Sequence, residues 1–97
     1  MLNDTLSRPA QRLVEMLAAC PDEPRTVTLS IPTENHAAAL GIDYRAFERW
    51  RQERLANIAR AVAELEAEGV PLVVEHRTGR EVGDPALDRL FIISVGA

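Results

Sequence analysis

Four arginines and a glutamine crowd one short stretch of the chain, Arg45, Arg49, Arg51, Gln52 and Arg54, with Tyr44 directly before them. A guanidinium is permanently charged and offers a planar fork of donors that matches a phosphate or the edge of a guanine, and a glutamine amide matches the edge of an adenine. The chemistry open to this stretch is therefore recognition of anions and base edges. The Tyr44 hydroxyl, at a helix start, either reaches a phosphate or covers the joint between two helices. Arg77 and Arg80, further along, are exposed cations that could touch a flanking phosphate or groove. Trp50, the sole tryptophan, sits at the edge of an apolar stripe and reads as packing against a neighbouring element.

Bond-making chemistry has no comparable cluster. His36 and His76 fall on different predicted elements, with no carboxylate constellation, HExxH pair, nucleophile elbow or phosphate-cradling glycine loop around them. Both read as surface or capping residues. Cys20 stands alone, so it forms no internal disulfide, and no Cys/His cluster has zinc-ligand spacing. It reads as a small buried hydrophobe at a helix end. The expectation is a protein that is not an enzyme and that uses no metal and no cofactor.

A net charge of −4 and an isoelectric point near 5.1, taken alone, argue against a polyanion as partner. Placement matters more than the total. Residues 44–60 hold five arginines against Glu48 and Glu53, a local +3, whereas residues 1–43 carry −3 and residues 61–76 carry −4. Every cation is an arginine: the chain has 11 Lys+Arg residues and no lysine. The plain reading of that is a GC-rich coding bias.

The elements that must position these residues follow from periodicity. Leu6, Leu13, Met16, Leu17 and Cys20 recur at helical spacing, which predicts a helix from about Asp4 or Ser7 to Cys20, ended by Pro21 and Pro24. TVTLSI alternates and predicts a strand over residues 26–31. Thr33 caps a short helix over residues 34–40, with Gly41 after it, and Asp43 caps a long one over about residues 44–68, stopped by Gly69 and Pro71. In that long helix Phe47, Leu55, Ile58, Val62 and Leu65 make an apolar stripe, and Arg45, Arg49 and Gln52 fall on the opposite face. PLVVEHR and LFIISV predict two strands, joined by an exposed flap between Thr78 and Arg89.

This order predicts an α+β winged helix-turn-helix (α-β-α-α-β-β), three helices with a small antiparallel sheet, in which the long helix is the recognition helix. Ninety-seven residues with 46% hydrophobic content suffice for one domain, 1–97, and no second core. The N-terminus does not resemble a signal peptide and no segment has the apolar length of a membrane span, so a cytoplasmic location is expected.

The stretches LSRPAQRLVEML, TVTLSI and FERWRQERLANIARAVAELEAEGV resemble the C-terminal winged helix of plasmid replication initiator proteins of the iteron-binding type. Most particular are Arg49-Trp50-Arg51 followed by Gln52 and Glu53, and the ELEAEGV ending. The resemblance implies sequence-specific double-stranded DNA binding at directly repeated origin sequences, with Arg45, Arg49, Arg51 and Gln52 as contact positions. Such initiators usually carry two winged helices and an N-terminal region for the replication machinery, whereas this chain holds one. A neighbouring winged-helix domain or a homodimer is therefore a further partner to consider. Two alternatives use the same residues differently: a bacterial transcriptional repressor on a palindromic operator, or a protein-interaction module whose Glu64, Glu66, Glu68 and Glu75 meet a basic partner.

Overall fold

The computed structural model describes residues 6–96. They form an α+β fold in the order α1 (Arg8–Ala19), β1 (Thr26–Pro32), α2 (Glu34–Ala39), α3 (Tyr44–Ala67), β2 (Leu72–Thr78), α4 (Gly79–Val82) and β3 (Leu87–Val95). The three strands make one antiparallel sheet in the order β1-β3-β2. The long C-terminal strand is thus central, and β1 and β2 are edges.

The helix termini follow the local chemistry of the sequence. Pro9 sits in the first turn of α1, where its missing amide hydrogen costs nothing. The alternative start at Asp4 lies outside the described residues. Thr33 Oγ1 accepts the His36 amide at 3.1 Å, and the Asp43 carboxylate accepts the amides of Arg45 and Ala46 at 3.1 and 3.2 Å. Gly41, at φ +82°, lets the Ile42 amide turn back to the Ala37 carbonyl at 3.0 Å, which closes α2 and fixes the entry to α3.

The core is one cluster in which Ala10, Leu13 and Leu17 of α1 meet Ile58, Ala61 and Leu65 of α3 over Val27 and Ile93 of the sheet. α3 has 24 residues, about 36 Å at 1.5 Å per residue, which is long against the molecule's 42 Å greatest extent. Its C-terminal half supplies most of its core contacts. In the N-terminal half only Phe47 is buried.

Two expectations are corrected. The segment expected as a loop contains a fourth helix among the described residues, the four-residue α4. Thr78 and Glu81 cap it reciprocally: Thr78 Oγ1 accepts the Glu81 amide and Glu81 Oε1 accepts the Thr78 amide. The exposed flap is also shorter than expected, because β3 begins at Leu87 rather than Leu90. Leu87 pairs with Pro32 and Arg89 with Ile31, so the residues read as flap complete the sheet and the connection spans only residues 79–86. Gly79 is buried there, and a Cβ on it would lie 1.7 Å from the Leu87 carbonyl oxygen.

Candidate nucleic-acid interface

At 100° per residue, Arg45, Arg49 and Gln52 lie within about 40° of the line opposite Phe47 and Leu65. All three are exposed. None of their side chains is hydrogen-bonded or ion-paired among the described residues. The Asp43 cap and the α2–α3 turn hold the start of this face rigidly, so the first turns of α3 present two free guanidinium groups and an amide to solvent. Tyr44 heads the same helix and is 56% exposed, beside Leu40 and Ile42 of the turn, which are also exposed. It does not cover the joint between the helices.

Arg51 and Arg54 behave differently. Both are only partly exposed. Arg51 reaches Glu48 at 3.9 Å and Asp88, at the start of β3, at 3.6 Å, so it links α3 to the sheet. Arg54 donates its Nε hydrogen to the Ser30 carbonyl at 3.1 Å, and its guanidinium carbon lies 5.5 Å from the centre of the Trp50 ring. The Val95 amide bonds the Arg25 carbonyl, which sets the alternation along β1: residues 25, 27, 29 and 31 bond β3, and Ser30 points its carbonyl outward. Arg54 therefore satisfies an acceptor on the open edge of β1, and Trp50, stacked on Phe47 at 5.9 Å, supports it. The guanidinium groups at these two positions, which the sequence offers to phosphates or base edges, have partners inside the chain.

Of the two arginines expected on the flap, Arg77 is bound to Glu75 on the same strand at 3.2 Å. Arg80 projects from α4, exposed and without an ion pair among the described residues.

Two arginines that were not singled out from the sequence share a groove with another side of α3. Arg8 and Arg12, one turn apart on α1, line an open groove of about 480 Å³ together with Trp50, Glu53, Arg54 and Asn57. Both are exposed and unpaired among the described residues. Their i, i+4 spacing on the polar side of an amphipathic helix was the available signal.

The carboxylates with clearly shifted titration lie away from this face. Glu64 accepts hydrogen bonds from the Ser7 hydroxyl and from the Ser7 amide, the latter at 2.9 Å, and has Arg60 at 3.5 Å; these hold its carboxyl below the ordinary 4.5. The Thr78 amide and hydroxyl do the same for Glu81. Cys20 is half-buried at the end of α1. Among the described residues no group of His, Cys, Asp and Glu could hold a metal ion, and no helix is long and apolar enough to cross a membrane. Comparison of the chain with protein-family models, curated proteins and solved structures returns no match.

Proposed function

We propose that this protein is a winged helix-turn-helix domain that binds double-stranded DNA sequence-specifically, of the plasmid replication initiator type, with the front of α3 in the major groove. The observation that carries the reading is the contrast along α3. Arg45, Arg49 and Gln52 are exposed, point away from the core and are unpaired among the described residues, while the neighbouring Arg51 is neutralised by Glu48 and Asp88. A major groove about 12 Å wide admits a helix, and arginine and glutamine at one-turn spacing can reach successive base edges. Arg8, Arg12 and Arg80 then meet phosphates, and Tyr44 contributes a hydroxyl at the groove wall. In this arrangement β2, α4 and the start of β3 form the wing.

Selection of bound duplexes from a randomised pool, followed by footprinting, tests the proposal. A recoverable consensus protected by the wild-type protein is expected. Failure to enrich any sequence at low salt refutes it. Direct repeats in the natural target fit an initiator, and inverted half-sites fit a repressor.

A further inference from the structure

β2 is an edge strand whose free side has a regular pattern. The Gly96 amide bonds the Pro71 carbonyl, and Leu72 stands opposite Val95, so the odd residues of β2 bond β3 and the even ones point their amides and carbonyls outward. Thr78, an even residue, confirms the alternation, since its amide is taken by Glu81 rather than by β3. Leu72, Val74 and His76 therefore present outward-facing amides and carbonyls at the sheet edge. On the core-facing side of the same strand an apolar groove of about 520 Å³ opens, lined by Leu55, Ala59 and Val62 of α3 with Leu72, Val74 and Phe91. Val74 remains 42% exposed. A partner that satisfies both features must bring an extended strand whose alternate residues are apolar and face the α3 side, and β2 of a second copy has that pattern.

We infer that two copies of the chain associate through β2, antiparallel about a two-fold axis at His76, to make one continuous six-stranded sheet. Charge selects this register over its neighbours. With His76 opposite His76 of the second copy, Glu75 stands opposite the second copy's Arg77 twice over. Those pairs fall at non-hydrogen-bonded positions, where facing side chains are closest. A shift that centres Glu75 sets like charges against each other, and a shift that centres Val74 leaves Glu75 facing Val73. In the chosen register the His76 pair exchanges two hydrogen bonds, each Val74 amide bonds the other copy's Thr78 carbonyl, and the two grooves lie side by side on one face of the sheet. The Glu75–Arg77 contact within each strand, at 3.2 Å, becomes a four-charge cluster across the axis. The inference does not depend on DNA binding.

Sedimentation equilibrium over a dilution series tests it, and the wild-type chain is expected to have twice the mass of one chain at high concentration. Val74→Pro removes an outward amide and leaves the ladder with β3 in place, so its mass should fall to one chain with an unchanged circular-dichroism spectrum. Glu75→Arg and Arg77→Glu should each dissociate the dimer, and the double exchange should restore it, a rescue that a folding defect would not produce. In a Cys20→Ala background, His76→Cys should form an intermolecular disulfide on mild oxidation. A wild-type monomer throughout the series overturns the inference, including one that pairs its β2 edge only with another protein. So does a dimer indifferent to Val74→Pro and to the charge reversals.

Discussion

Arg54→Ala separates two roles that an arginine in a basic helix can have. The side chain gives up a charge-assisted hydrogen bond to the Ser30 carbonyl and its place over Trp50. A hydrogen bond to a charged group contributes about 1.5–3 kcal/mol, at the lower end here because the residue is partly exposed, and a cation–π contact at a half-exposed site about 0.5–1 kcal/mol. Water reaches the exposed side of Ser30 and recovers part of this, so a net loss of about 1–2 kcal/mol is expected. With a urea slope of roughly 1 kcal/mol per molar, the unfolding midpoint should fall by about 1–2 M, against shifts within about 0.5 kcal/mol for Arg45→Ala and Arg49→Ala. Arg54→Lys should recover little, because an ammonium on a flexible stem does not reproduce the Nε geometry. The assay is equilibrium urea unfolding followed by tryptophan fluorescence and, since Trp50 itself reports on this site, by far-UV circular dichroism. Wild-type stability in Arg54→Ala, combined with a loss of DNA affinity as large as that of Arg49→Ala, would refute the assignment of Arg54 to the β1 edge.

Other consequences are equally open to measurement. Gly79→Ala forces a methyl group into the Leu87 carbonyl, so the β2–β3 connection must shift; a loss of at least about 2 kcal/mol is expected in urea unfolding, whereas Gly83→Ala, with open space around its Cβ, should lose only the left-handed backbone preference, about 1 kcal/mol. Glu64 and Glu81 titrate below their ordinary value of 4.5 in the folded chain, so the unfolded chain takes up protons first as the pH falls. Their contribution is fully present above about 4.5 and is lost as the pH drops through the lowered folded values. Glu64→Gln should flatten the acid limb of a plot of urea midpoint against pH, and an unchanged limb would count against the Ser7 bridge.

Elements governed by neighbouring residues were legible in the sequence. Asp43 and Thr33 cap the helices expected of them, and the alternation of TVTLSI sets which residues face the core, with Val27 and Ile31 buried. The exposed placement of Arg45, Arg49 and Gln52 also followed from helical spacing, because an α-helix fixes direction once the apolar face is known. What was not legible depends on partners distant in sequence. Arg54 meets a carbonyl on β1, and Ser7 meets Glu64 from the far end of the chain. Leu87 to Arg89 look like loop residues until β1 offers them a ladder. The α4 helix is a separate case: Thr78 and Glu81 carry the capping-box signature, but the surrounding glycines, Pro85 and Asp84 favoured a turn reading. Charge was informative only by position, since the face on α3 is basic within an acidic whole.

The central claim rests on Arg45 and Arg49 reading base edges. The most direct measurement is an anisotropy titration of a duplex selected by the wild-type protein, and of its scrambled counterpart, with the wild type and with the Arg45→Ala/Arg49→Ala variant at several salt concentrations. Each base contact contributes about 1–3 kcal/mol of discrimination, so the double variant should lose at least about tenfold of the preference for the selected duplex, and wild-type affinity should fall steeply with salt. A double variant that keeps the wild-type preference, or a wild-type affinity independent of salt, would contradict the account.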